Sequence, residues 1–240
     1  VFFRSMFLQA AWNPQGMQNL GLAYAVFPAL AELYPGREAQ NAALQRHLSF
    51  FNTHPYVAAA IIGGVLHHEV RIARGGEGPE RVVAFKAALM GPLAALGDGF
   101  FWLSLRPAVG AVSAALVPLL GWRAPVLFLV LYNVVHLGLR AWLYRLGLRA
   151  GDRLVSELAR QNLPVRGTRL RVLTALSAGG AAAWLAIGFG AQEGGEWAVA
   201  LSAGCLLLGA ASYAAVSRAS LRLGALYLAA ALAVVAGAFL

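Results

Sequence analysis

Charged residues are scarce in this chain of 240 residues, since Asp, Glu, Lys and Arg make up only 12% of it. A soluble domain carries about 25% of these residues. Apolar residues take their place, at 60% of the chain and a mean hydropathy of +0.66. This composition excludes an ordinary soluble domain and indicates a chain solvated by lipid. We expect an all-α integral membrane protein with several transmembrane helices, some of them broken or re-entrant, and amphipathic helices near its N-terminus.

Acidic residues are the scarcer charge, with 10 of them against 19 Lys and Arg and a net charge of +9. In a soluble protein this balance would favour a nucleic-acid partner. Here the arginines stand in short stretches between apolar runs, as they do in the cytoplasmic loops of membrane proteins. We therefore expect lipid, and no nucleic acid, around this chain.

Only one cysteine is present, Cys205, so an internal disulfide is excluded and the compartment stays open. The first residues lack the pattern of a signal peptide, and the start at Val1 leaves open whether residues precede it.

The chain has no phosphate-binding loop, dinucleotide fingerprint or Ser-His-Asp order, so we expect no catalytic residue and no cofactor. His67, His68 and Glu69 lack the H-E-x-x-H spacing, so we expect no metal site.

Long apolar runs lie mostly in the second half of the chain. A simple span takes about 20 mostly apolar residues, and four runs meet this length: 124–143, 172–190, 197–215 and 223–240. A shorter run covers 107–121, and the N-terminal runs 20–34 and 55–66 are short enough to be interfacial or re-entrant helices.

The basic loops predict an orientation. Eight arginines lie between Arg140 and Arg171, whereas 191–196 has two glutamates and no base, and 217–222 has two arginines and no acid. By the positive-inside rule, 144–171 and 217–222 are cytoplasmic, and 191–196 and the C-terminus lie outside.

Two short segments have the spacing of amphipathic helices. In 37–51 the apolar face consists of Leu44, Leu48 and Phe51. In 152–163 it consists of Leu154, Leu158 and Ala159. Both segments fit a helix on the membrane surface and equally a helix packed against other cytoplasmic helices.

Asp98 is the only carboxylate between Arg81 and Arg140, in an otherwise apolar region. A carboxylate at membrane depth costs roughly 2.5–3.5 kcal/mol on insertion scales and usually faces a cavity or a partner. Gly91, Pro92 and Gly97 predict a broken helix before it, and broken helices form substrate sites in transporters. The alternative is a helix end near the interface with Asp98 as its cap; we favour the site.

A second polar stretch is Asn52, Thr53 and His54, followed by Pro55. The residue before a proline is driven out of the helical region, so we expect His54 in extended backbone. These side chains suit a sugar, whose hydroxyls must exchange water for protein partners. That Asn52 or Thr53 only caps the next helix is an equally good interpretation.

Further polar side chains lie near the N-terminus and in the span 124–143. The N-terminal group fits a sugar path or a polar interface with a partner, and consists of Gln9, Trp12, Asn13, Gln18 and Asn19. In the span, Asn133 and His136 share a helix face, where we expect them to bond between helices.

Three segments carry a resemblance to a known family. The first is FFRSMFLQAAWNPQGMQNLGLAYAVFPAL, the second RHLSFFNTHPY and the third KAALMGPLAALGDGFFWLSLRP. Together they resemble the IID membrane subunits of mannose/fructose/sorbose phosphotransferase permeases. The resemblance covers residues 2–151 in order and spacing, and FNTHP with GPLAxxGD at this separation is specific. It divides the chain into a core (1–151), a basic cytoplasmic connection (152–171) and C-terminal transmembrane helices (172–240).

The resemblance implies a transport subunit of the bacterial inner membrane that crosses it several times and is not phosphorylated itself. Such a subunit pairs with a IIC membrane subunit to translocate a hexose of the mannose, fructose, glucose or sorbose class. Cytoplasmic IIA and IIB subunits carry the phosphoryl group to the sugar. The family motif implies Asn52, Thr53, His54 and Asp98 as residues of the sugar cavity or its hinge, with Gly91, Pro92 and Gly97 shaping the broken helix.

The chain departs from the family in two places. Gly99 follows Asp98 where the family often has serine, and a compact segment, 192–196, replaces a longer extracellular one. A degenerate or regulatory IID homologue therefore stays an alternative. Two others are a stand-alone secondary transporter that uses Asp98 and a membrane-bound enzyme that uses His67, His68 and Glu69.

Overall fold

The structure is a computed structural model that describes the backbone of residues 1–193 and the side chains of 1–182 and 184. Within that part the regular elements are helices. Two isolated β-bridges lie outside them, one between Met17 and Asn13 and one between Met17 and Phe51. The helices are α1 (Phe2–Ser5), α2 (Asn19–Leu33), α3 (Arg37–His47), α4 (Ala58–Ala73), α5 (Glu80–Gly97), α6 (Arg106–Ala115), α7 (Val117–Leu120), α8 (Arg123–Ala150), α9 (Leu154–Arg160) and α10 (Leu163–Glu193). A π-helical segment, Asp98–Leu105, joins α5 to α6, and a 3-10 turn, Gly151–Arg153, joins α8 to α9.

Two continuous helical stretches are long and apolar enough to cross a bilayer, Glu80–Ala115 and Arg123–Arg160. Only 39% and 22% of their most apolar stretches are buried within the protein, which leaves the rest to lipid or to other chains. The expected span 124–143 lies within α8, and 172–190 lies within α10. The expected spans 197–215 and 223–240, and Cys205, lie outside the described residues.

The helix α5 differs from the expectation of a break at Gly91 and Pro92. It stays α-helical through both residues as far as Gly97, although a proline removes one backbone hydrogen bond from a helix. The change comes at Asp98, where the hydrogen bonds widen to the π-helical pattern for eight residues. Single π-helical turns inside α-helices are frequent at functional sites.

The amphipathic segment 37–51 is helical from Arg37 to His47, and of its expected apolar face Phe51 is buried and Leu44 is half-buried. Leu48 is 37% exposed, and the buried residues of α3 are Ala43 and His47. His47 and Arg46 of α3 bind Glu69 of α4, so the buried face of this helix carries an ionic contact, and a place for Leu44 and Leu48 on the membrane surface stays a prediction. In the second segment, Leu154 and Leu158 of α9 are buried as expected.

The close contact of α4 with α8 depends on glycine. A β-carbon at Gly63 would collide with the backbone of Tyr144 and Leu148, and one at Gly147 would collide with the backbone of Ala60 and Gly64. Small residues at such a crossing let two membrane helices approach backbone to backbone. This contact holds the second half of α8 against the N-terminal helices.

The chain separates into two compact units. The first consists of residues 1–102 and 133–166, and the second begins with 103–132 and resumes at 167. The expected division at 151 and 171 stays a prediction. Both stretches that carry the predicted polar motifs, around His54 and before Asp98, belong to the first unit.

Candidate functional site

The two polar motifs predicted from the sequence lie against each other, because the segment before α4 packs along α5. The hydroxyl of Thr53 donates to the carbonyl of Met90 at 3.0 Å, and the amide N–H of Asn52 lies 3.4 Å from the Met90 sulfur. The side-chain amide of Gln18 accepts from the N–H of Thr53 at 3.1 Å and donates to its carbonyl at 2.8 Å. The Gln18 side chain therefore satisfies both backbone groups of Thr53, as the backbone of a neighbouring β-strand would.

His54 lies at the centre of an aromatic cluster. Its ring is 2% exposed and stacks on Phe101 with centroids 5.1 Å apart and planes 16° apart. Tyr56 meets the imidazole edge-on at 5.1 Å, and Trp102 lies 5.0 Å away. The β-carbon that Gly97 lacks would collide with the imidazole, so glycine is required there for His54 to occupy this position.

The hydrogen bonds of His54 indicate its tautomer. Its Nδ1 accepts the backbone N–H of Tyr56 at 3.3 Å, so in the neutral ring the proton lies on Nε2. That Nε2 is buried and has no hydrogen-bond partner among residues 1–193. The cluster therefore holds one buried donor that the described part of the chain leaves unsatisfied.

The helix α8 contributes His136 and Arg140 to the same region. The centroids of the His136 and Tyr56 rings lie 3.8 Å apart. His136 therefore packs on the turn before α4, where Tyr56 directly follows the FNTHP motif. One turn further, the buried guanidinium of Arg140 donates to the carbonyl of Ser5 and lies 3.4 Å from its hydroxyl. Arg140 thereby ties the N-terminal residues to α8.

Two of the four predicted sugar-binding residues are exposed. Asn52 and Asp98 lie at the surface of the chain, whereas Thr53 and His54 are buried. The helix continues on both sides of Asp98, so its carboxylate does not cap a helix start. The structure thus brings Asn52, Thr53 and His54 to α5, and directs Asp98 outward.

A small cavity of about 10 Å³, room for about one water molecule, is lined in part by Phe101. None of the four predicted residues lines it. Its wall is almost wholly apolar and consists of Val57, Leu96, Phe100, Phe101, Leu139, Trp142, Leu143 and Leu163. A sugar needs a partner for each hydroxyl, so this cavity is not suited to one.

A buried ionic network joins α2, α3 and α4 around Glu69, whose side chain is 0% exposed. Arg46 donates to both carboxylate oxygens, at 2.8 and 2.5 Å, and His47 Nε2 lies 2.8 Å from Oε1. Tyr34 donates its hydroxyl to Oε2 at 2.8 Å. From α5, Lys86 donates to the carbonyl of Arg46 at 2.6 Å, which extends the network to a fourth helix.

The network shifts the pKa values of its members. Burial would raise the pKa of Glu69, but hydrogen bonds from His47, Arg46 and Tyr34 outweigh it and lower that pKa to about 2. Burial, and next the Glu69 carboxylate, raises the pKa of Tyr34 to about 12. Burial lowers the pKa of His47, more than the hydrogen bond to Glu69 raises it. At neutral pH, Glu69 is therefore ionised and His47 is neutral.

The three residues His67, His68 and Glu69 have separate partners. His67 Nδ1 bonds to the carbonyl of Leu148 at 3.0 Å, and His68 Nδ1 bonds to Glu77 at 2.8 Å. Among residues 1–193 no group of three or more His, Cys, Asp or Glu side chains is placed to hold a metal ion.

Two members of the N-terminal polar group, Asn13 and Asn19, form hydrogen bonds within the chain. Asn13 donates to the side-chain oxygen of Asn19 at 3.0 Å and accepts the N–H of Gly16 at 2.7 Å. Asn19 donates to the carbonyl of Leu48 at 2.6 Å. Gln9 and Trp12 are exposed. The sequence analysis did not predict that Tyr56, Phe101 and Trp102 surround His54. Their positions next to the FNTHP and GD motifs could have indicated it.

Comparison with known proteins decides the family. The sequence model of the PTS system mannose/fructose/sorbose family IID component matches residues 1–183. The chain belongs to this family. The resemblance expected from the motifs is confirmed, and with it the class of an all-α membrane protein.

Curated members of the IID family show how much of the chain is shared. The mannose-specific EIID component of Escherichia coli K12 is 39% identical over 160 residues, which are 66% of this chain and 56% of that protein. The fructose permease IID component of Bacillus subtilis is 34% identical over 72% of this chain and 61% of its own length. The sorbose-specific EIID component of Klebsiella pneumoniae is 37% identical over 66% and 58%. The chain thus spans about three fifths of these relatives.

Solved structures show the same fold as this IID chain. A cryo-EM structure of the mannose transporter ManYZ with microcin E492 matches with a TM-score of 0.60 and 32% identity, over 87% of this chain and 64% of that one. A second structure, described as a membrane protein, matches with a TM-score of 0.66 and 36% identity, over 74% of this chain and 66% of that one.

Proposed function

We propose that this chain is the IID-type membrane subunit of a sugar phosphotransferase permease and forms a hexose path together with a IIC-type subunit. Cytoplasmic IIA and IIB subunits would phosphorylate the sugar. The observation that carries the proposal is the family match over residues 1–183, which includes both helical stretches long enough to cross a membrane. A multi-pass position in the bacterial inner membrane is part of the same proposal.

The chain is proposed to have no phosphoryl-carrying residue of its own. All five histidines lie in the described residues, and His47, His54, His68 and His136 are buried. The fifth, His67, is half-buried and its Nδ1 is bonded to a backbone carbonyl. A phosphoryl group passed from a protein donor needs an accessible nucleophile, so these positions favour a transport role without phosphorylation of this subunit.

The polar segment before α4 is proposed to border the sugar path. Its exposed member, Asn52, offers a side-chain amide, which both donates and accepts hydrogen bonds as sugar hydroxyls require. Thr53 and His54 position it, since the hydroxyl of Thr53 is bonded to Met90 and His54 is seated over Gly97. Gly97 therefore shapes the site through a close contact, and Gly91 and Pro92 lie in regular helix.

Phosphorylation-dependent hexose uptake in a bacterium that lacks its own IID subunit tests the proposal. Co-expression of the chain with a IIC-type subunit and the cytoplasmic subunits should restore uptake. His54→Ala should then lower uptake at least tenfold more than it lowers membrane abundance, whereas His67→Ala, outside the aromatic cluster, should lower both alike. Equal losses for His54→Ala would mean that the cluster is only structural.

The same experiment separates the alternatives. Uptake by the chain alone, driven by protons or sodium without phosphorylation, would support a stand-alone secondary transporter instead. Stable assembly with the IIC-type subunit but no uptake for any hexose would support a degenerate or regulatory homologue.

A further inference from the structure

Asp98 lies in the middle of the first membrane-spanning stretch. It is 18 residues from Glu80 and 17 from Ala115, the two ends of that stretch. At 1.5 Å per residue of α-helix, the 18 residues from Glu80 span about 27 Å, so Asp98 lies deep within a stretch that crosses a hydrocarbon core about 30 Å thick.

The carboxylate of Asp98 is exposed and forms no hydrogen bond or ion pair with any residue of 1–193. An ionisable group at this depth faces a protein interior, a partner or a watery cavity, because lipid offers it no partner. The described part of this chain supplies none of these, so the partner of Asp98 lies outside it.

No element of residues 1–193 covers the helix face that leads to Asp98. Its exposed positions follow at steps of four and three residues: Ala84, Ala88, Gly91, Ala95 and Asp98. A β-carbon at Gly91 would meet nothing within 4 Å, whereas the opposite face of α5 is buried through Phe85, Leu89 and Leu93. Steps of four and three residues keep one face towards a neighbouring helix.

The second span has a different exposed surface. Most exposed residues of α8 between 126 and 138 are large and aliphatic, among them Val126, Leu129, Val130 and Val134, although Asn133 and Gly138 are exposed too. The exposed residues from Ala84 to Asp98 are instead alanines, Gly91, Pro92 and the carboxylate of Asp98. Small side chains and a polar group are typical of contacts between membrane helices, because they permit close approach and an interhelical hydrogen bond.

We propose that this face of α5, from Ala84 to Asp98, docks against a membrane helix of the IIC-type subunit, and that the helix presents a basic side chain to Asp98. This inference rests on the proposed function and adds to it the surface and the charge that recognise the partner. A carboxylate without a counterion at the centre of the span favours a partner of opposite charge over a second copy of this chain, which would bring a second carboxylate.

Co-purification in mild detergent tests the contact, with an affinity tag on this chain and its IIC-type subunit co-expressed. Asp98→Asn should lower the amount of retained IIC-type subunit at least fivefold at unchanged abundance of this chain, and Asp98→Glu should retain most of it. Glu157→Gln, which removes a carboxylate from α9, should change nothing. Ala95→Leu, which adds bulk to the face, should lower retention as well, whereas the matched change Val134→Leu should not.

The outcomes separate the two proposals. If the wild-type chain retains no IIC-type subunit, the proposed function fails. If it does, but Asp98→Asn and Ala95→Leu retain as much as the wild type, this face does not bind the IIC-type subunit and the docking inference is overturned. Full retention by Asp98→Asn together with lost sugar uptake would place Asp98 in the sugar path and overturn its role as a partner contact.

Discussion

The imidazole of His54 occupies the space that a β-carbon of residue 97 would fill, so Gly97 and His54 fit only as a pair. His54 belongs to the segment before α4, and Gly97 ends α5. One glycine thereby lets a loop histidine pack directly on the backbone of a spanning helix, beside the start of the π-helical segment.

Gly97→Ala should destabilise the protein by roughly 1–3 kcal/mol, since the added methyl must displace a stacked and buried ring. Gly91→Ala, six residues earlier in the same helix, should be neutral or stabilise by up to about 1 kcal/mol, because open space surrounds it and alanine favours the helix. Thermal unfolding of both variants in detergent measures the difference. Equal stability of the two would contradict the seating of His54 over Gly97.

Gly147→Ala should loosen the crossing of α4 and α8. Its methyl would meet the backbone of Ala60 and Gly64, which cannot rotate away as a side chain does, so we expect a loss of roughly 1–3 kcal/mol or more. Gly138→Ala in α8, where nothing lies within 4 Å, is the matched control and should not destabilise. Protease resistance of the segment 60–73 in detergent provides the measurement, and unchanged resistance in Gly147→Ala would refute the close crossing.

Glu69→Gln should be strongly destabilising. Removing one partner of a buried ion pair costs roughly 3–5 kcal/mol, because the other charge stays buried without compensation. Here Arg46 is that charge, at 14% exposure. Glu157→Gln, which breaks the exposed pair with Arg160, should cost at most about 1 kcal/mol. Denaturant titration in mixed micelles compares the two, and similar costs would argue against the network as a source of stability.

Acid should destabilise the N-terminal helices in two steps. The folded pKa of His47 is lowered, so the unfolded chain takes up its proton first and stability falls as the pH drops below the usual histidine range. The folded pKa of Glu69 is lowered to about 2, so its stabilisation is complete above its ordinary pKa of 4.5 and is lost as the pH falls from there towards 2. Melting temperatures between pH 8 and pH 3 should show both losses, and Glu69→Gln should abolish the second. A melting temperature that rises on acidification would reverse these signs.

Helical spans and family motifs could be predicted from the sequence, because both depend only on residues that are close together along the chain. The spans 124–143 and 172–190 are helical as their apolar length predicts, and the motifs around His54 and Asp98 identified the family. Apolar spacing did not reveal that His47 and Arg46, beside Leu44 and Leu48 in the same helix, have an ionic partner on α4.

Proline and glycine in α5 show a second limit of sequence reasoning. Gly91 and Pro92 look like a break, but packing along α5 holds the helix together, and the change to π-helical hydrogen bonds comes at Asp98. Which glycine matters is decided by what lies next to it: Gly97 meets His54, and Gly91 meets nothing.

The sequence by itself determined the membrane class, the apolar helix around 124–143 and the family, because hydropathy and short motifs are properties of consecutive residues. Only the tertiary structure decided the partners of the polar groups: Gln18 with Thr53, Glu69 with Arg46 and His47, and Asp98 with no residue of 1–193. The physical reason is that a buried polar group is satisfied by whatever helix packing brings within about 3 Å of it, and that packing depends on contacts between residues tens of positions apart.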